Sequence, residues 1–85
     1  MTAWTSDARK NLERLIIDLL ELEGDIDWAI IRYQETRQWD SLVHMAIVSD
    51  LEEALSINLS AEDIVQMSTF DEILRILKDK GVDVG

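Results

Sequence analysis

Residues 39–56 read WDSLVHMAIVSDLEEALS, and the fold follows from how that stretch is read. At about 100° per residue, His44, Ile47, Val48, Leu51, Ala54 and Leu55 fall within one half of a helical wheel. That half is the expected core face of a helix running over 41–56. Asp40 or Ser41 supplies the side-chain oxygen that the orphan N–H groups of the first turn require. The opposite half carries Leu42, Met45, Ala46, Ser49, Asp50, Glu52 and Glu53. Most of these are polar or small, as an exposed face should be. Leu42 and Met45 are the exceptions, large apolar side chains expected to face outward within one turn of Ser41. Ser41 itself stands at the positive end of the helix dipole, where an attached anionic group would be favoured.

Upstream, Leu12, Leu15, Ile16, Leu19 and Leu20 recur at three- and four-residue steps and predict a helix over 6–23. Thr5 or Ser6 is its expected cap, residues 1–5 a frayed tail, and Gly24 its left-handed terminus. Residues 25–40 contain Ile26, Trp28, Ile30, Ile31, Tyr33 and Trp39 with no single period. We read them as a long ordered loop, with a helical turn near Trp28–Arg32, laid over the helices by its aromatics. Downstream, Ser60-Ala61-Glu62-Asp63 has the form of a capping box opening a short helix over 60–66, with Ile64, Val65 and Met67 as its apolar residues. Thr69-Phe70-Asp71-Glu72 reads as a second box opening a helix over 69–80, whose Phe70, Ile73, Leu74 and Leu77 share a face before Gly81 ends it. The expected fold is all-α, one domain over 1–85, with three main helices, one short helix and a long loop between the first two. Each helix must bury its stripe against the others, which predicts a four-helix bundle.

Composition narrows the function. Cysteine is absent and there is one histidine, His44, so a thiolate metal site or a histidine-dependent triad is not expected. No apolar run reaches the roughly 18 residues of a membrane span, and no signal-peptide pattern opens the chain. A soluble cytoplasmic protein is the expectation. Eighteen acids stand against eight bases, a formal net charge of −10. Between Arg37 and Arg75 there is no Lys or Arg, while Asp40, Asp50, Glu52, Glu53, Glu62, Asp63, Asp71 and Glu72 all lie there. Such a surface repels nucleic acid and anionic lipid and attracts a protein with a basic patch. The plain alternative is a solvated face that keeps the protein soluble.

The ordered set Asp40-Ser41-Leu42, then Ser49-Asp50-Leu51-Glu52-Glu53-Ala54-Leu55-Ser56-Ile57, then Leu59-Ser60-Ala61-Glu62-Asp63, then Ser68-Thr69-Phe70-Asp71-Glu72-Ile73 resembles the acyl carrier proteins. It spans residues 40–77 at that family's spacing. The resemblance implies a bundle whose DSL serine, here Ser41 beside Asp40, is converted to a 4′-phosphopantetheine ester by a magnesium-dependent phosphopantetheinyl transferase. The arm's thiol then carries an acyl group as a thioester, and the carrier has no active site of its own. The residues agree, since a chain without a thiol needs an added one. The plain alternative for Ser41 is an N-cap.

The resemblance also implies that Leu42 and Met45, ringed by Asp50, Glu52 and Glu53, dock on partner enzymes with a basic and apolar patch. Their alternative is a solvated face with two stray apolar residues. Fatty-acid members usually carry acids in the first turns after the serine, where this chain has Val43, His44 and Ala46. That departure, with Trp39 before the motif, points toward polyketide or other specialised biosynthesis and a dedicated partner. Trp39 is expected to pack the loop against the helix start, and His44 to be a packed or edge histidine. The chain ends just after its fourth helix, so a discrete carrier is expected, and we read it as a monomer. The alternatives are an aminoacyl or peptidyl carrier of D-alanyl type, which differs in cargo, and an unmodified helical interaction module.

Overall fold

In the computed structural model, which describes residues 8–82, the chain is all-helical. Four helices follow in order: α1 (Ala8–Leu20), α2 (Ser41–Leu55), α3 (Ala61–Gln66) and α4 (Phe70–Asp79). Among the described residues the only β feature is an isolated antiparallel bridge between Arg32 and Thr69. The expected tail and the Thr5 or Ser6 cap lie outside the described residues.

Burial follows the stripes. Leu12, Ile16 and Leu20 of α1, Ile47, Val48, Leu51 and Leu55 of α2, and Phe70, Ile73, Ile76 and Leu77 of α4 form one core with Trp39 and Met67. Leu15, Leu19, Ala54 and Leu74, expected on the same faces, are half-buried at its edge. The short α3 buries no side chain within its own span, and Val65 stands 75% exposed. Polar ties hold α3 in place. Ser60 and Asp63 complete the predicted capping box, each side chain accepting from the other's N–H at 3.0 and 3.1 Å. Lys80 reaches Asp63 at 2.9 Å, and Arg75 donates to Gln66 at 3.2 Å.

The helix ends depart from expectation in two places. α1 stops at Leu20, short of residue 23, with Glu21 at φ 55° and Leu22 N–H donating back to Ile17 at 3.0 Å. Glu21, rather than Gly24, is therefore its left-handed terminus. α2 ends where expected, on Ser56, which is also left-handed at φ 54° and ψ 44°. At the start of α4, Thr69 caps Glu72 N–H at 3.1 Å, but the Glu72 carboxylate turns to Arg75 at 2.7 Å. The second capping box is thus only half formed. Gly81 does end the last helix: at φ 89° it lets its own N–H reach Lys78 and Val82 N–H reach Leu77, both at 3.0 Å.

The long loop is tied down by named contacts. Trp28 stacks on Phe70 with centroids 4.4 Å apart, and Tyr33 N–H donates to Ser68 at 2.9 Å. Ile31 is buried beside them, whereas Ile30 faces solvent. The Cα radius of gyration is 12.0 Å, near the roughly 12 Å of a compact chain of this length. The loop therefore lies on the bundle, and it delivers Trp39 and Asp40 to the start of α2.

Candidate functional site

The loop before α2 closes on itself. Thr36 N–H donates to Arg32 C=O, Trp39 N–H to Thr36 C=O and Gln34 N–H to Trp39 C=O, each at 2.9 Å. The Thr36 hydroxyl oxygen accepts from Arg32 N–H at 2.9 Å. Gln34 takes a left-handed φ of 67° to make this turn. The result is a hydrogen-bonded hook whose end is Asp40.

Asp40 is the N-cap. Its backbone is extended, at φ −97° and ψ −175°, and its carboxylate Oδ1 accepts from Val43 N–H at 3.0 Å. Its own C=O accepts from His44 N–H at 2.9 Å. Of the two caps open at the level of sequence, the structure selects the aspartate. Ser41 is then the first helical residue, exposed, and its hydroxyl has no hydrogen-bond partner among the described residues.

Beneath it, Trp39 is fully buried and His44 is 3% exposed. The indole N–H donates to His44 Nδ1 at 3.0 Å, and His44 Nε2 lies 2.8 Å from the Ile64 carbonyl. An indole nitrogen only donates and a carbonyl only accepts. Nδ1 is therefore the acceptor, and Nε2 carries the hydrogen given to Ile64. Tyr33 stacks on the imidazole at 4.2 Å with an 11° interplanar angle. Both ring nitrogens are occupied, so His44 is a structural bridge between loop, α2 and α3. Trp39 packs the loop against the helix start, as its position suggested.

The remaining predicted residues lie on the outer surface of α2. Leu42 is 82% exposed and Met45 51% exposed. Asp50 and Glu53 are exposed and form no ion pair among the described residues. Glu52 differs from its expected role. It is half-buried, and its Oε2 accepts from Leu59 N–H at 2.9 Å, so it ties down the loop between α2 and α3. Val43 and Ala46 are half-buried and the first turn of α2 contains no acid. Among the described residues no three His, Cys, Asp or Glu side chains gather as a metal site, and no helix is long and apolar enough to cross a membrane.

Sequence reasoning missed what lies beside Ser41. A depression of about 350 Å³ opens there, lined by Gln34, Thr36, Arg37, Trp39, Asp40 and Ser41. One signal could have pointed to it: Arg37 is the last base before the long base-free stretch. Protein-family models, curated proteins and solved structures were all compared with this chain, and none matches it.

Proposed function

We propose that this chain is an acyl carrier protein whose Ser41 bears a 4′-phosphopantetheine arm. The observation that carries the reading is the division of labour at the start of α2. Asp40 does the capping, which leaves an exposed serine hydroxyl with no structural task. The Ser41 oxygen would attack the β-phosphorus of coenzyme A, held with magnesium by a separate transferase. A serine O–P bond forms, the pyrophosphate P–O bond breaks, and 3′,5′-adenosine bisphosphate leaves as the hydroxyl proton is released. The arm's terminal thiol then supplies what a chain without cysteine lacks. A phosphodiester at the start of α2 sits in the favourable field of the helix.

Leu42 and Met45 would form the apolar contact with partner enzymes, and Asp50 and Glu53 would steer a basic patch toward it. Glu52 contributes charge, but with one oxygen already committed to Leu59. The acid-free first turn favours a partner whose surface is apolar near the serine, in keeping with a specialised biosynthetic pathway rather than general fatty-acid synthesis.

Intact-mass measurement after incubation with coenzyme A, magnesium and a promiscuous transferase tests the reading. It requires one phosphopantetheine-sized gain in the wild-type chain and none in Ser41→Ala. An unmodified wild-type chain would overturn it. Leu42→Glu should leave the circular dichroism spectrum unchanged and lower turnover by the partner enzyme about tenfold or more, as loss of a contact of about 1.4 kcal/mol does. Unchanged turnover would remove Leu42 from the docking surface.

A further inference from the structure

The depression beside Ser41 has one cationic wall. Arg37 is exposed and, like Arg14 on α1, pairs with no carboxylate among the described residues, whereas Arg9 and Arg32 each hold one and Arg75 holds two. Ser41 and Asp40 line the same depression. A phosphodiester on Ser41 would therefore sit next to the Asp40 carboxylate, at the head of a stretch with no base until Arg75. Adjacent anions repel, and the Arg37 guanidinium is the charge within the depression that offsets this.

We propose that this depression seats the proximal part of the arm, with Arg37 pairing its phosphodiester. The proposal rests on the carrier reading above. About 350 Å³ is at the low end of ligand pockets, which run from about 300 to 1,000 Å³. It suits the phosphate and the first carbons of the arm and leaves the thiol end outside. Trp39, which lines the depression, is fully buried and tied to His44 through its indole N–H. Thr36 accepts from Arg32 through its oxygen, so its hydroxyl hydrogen is free to donate. A guanidinium grips two phosphate oxygens at once, which an ammonium does not. The arm would leave Ser41 toward the loop hook, whose Gln34, Thr36 and Arg37 line the depression.

The test uses the full chain, isotope-labelled and loaded with the arm, with loading followed by mass. In the wild type, the Arg37 Nε–H resonance should shift between the unloaded and loaded chain. The phosphorus NMR resonance of the loaded chain should move in Arg37→Gln and be partly restored in Arg37→Lys. Arg37 is exposed, so circular dichroism should be unchanged in both variants. A chain that takes the arm but shows a stationary Arg37 resonance, and a phosphorus resonance indifferent to Arg37→Gln, overturns the pairing and leaves the carrier reading intact. A chain that takes no arm overturns both.

Discussion

A helix cap needs one acceptor, and positions 40 and 41 offer two good ones. Asp and Ser rank almost equally as caps, so composition cannot choose between them. The choice follows from backbone geometry, because the loop hook delivers residue 40 in an extended conformation with its carboxylate facing Val43 N–H. Stability should report that choice directly. Asp40→Ala is expected to cost about 1 kcal/mol, and Ser41→Ala next to it a few tenths at most, both read from urea unfolding. Equal losses, or a larger one at Ser41, would mean that the serine is the cap. His44 makes a similar point. Its place on the inner half of the helical wheel was readable, but its contacts with Trp39 and Ile64 join residues 5 and 20 positions away, and helical periodicity says nothing about those.

At the scale of elements, starts were easier to read than stops. The capping residues Asp40, Ser60 and Thr69 all serve as predicted or as one of two predicted options. The stops were set by burial. α1 ends four residues before Gly24 because the early reversal carries Leu22 back against the core. That packing outweighs the left-handed cost of Glu21, about 1 kcal/mol. Ser56 bears the same cost at the end of α2. Ser56→Gly should therefore raise stability by about 0.5–1 kcal/mol, the relief of strain exceeding the added freedom of the unfolded chain. A fall in the midpoint of denaturant unfolding would contradict this.

The hydrogen bond from Lys80, with those from Ser60, holds the Asp63 carboxyl below its ordinary value of 3.8. A carboxylate with a depressed folded pKa adds stability above its unfolded pKa and loses it as pH falls through the folded value. Asp63→Asn should thus lower the Tm at pH 7, and the difference from wild type should shrink as pH falls below about 4. A difference independent of pH would rule out the ionised form as the source.

For the molecule as a whole, charge and compactness oppose each other. The chain carries a net charge of −10 on a fold whose Cα radius of gyration is only 12.0 Å, and self-repulsion weakens such a folded state. Raising salt from about 0.01 M to 0.15 M shortens the screening length from roughly 30 to 8 Å. The Tm should rise by several degrees over that range, and a Tm that falls would show that the few ion pairs outweigh the repulsion.

Periodicity and capping chemistry alone determined that the chain is all-helical, where α2 begins, which of its faces is buried, and that Leu42 and Met45 point outward. These are local properties, set by residues within a turn or two of one another. The tertiary structure decided which of two adjacent residues caps α2, where α1 stops, that Glu52 anchors a loop, and that Arg37 and Ser41 share a depression. All but the Glu52 anchor, which depends on the turn between α2 and α3, follow from the path of the loop over 21–40, which is held by contacts with residues far along the chain, and no local pattern encodes that path.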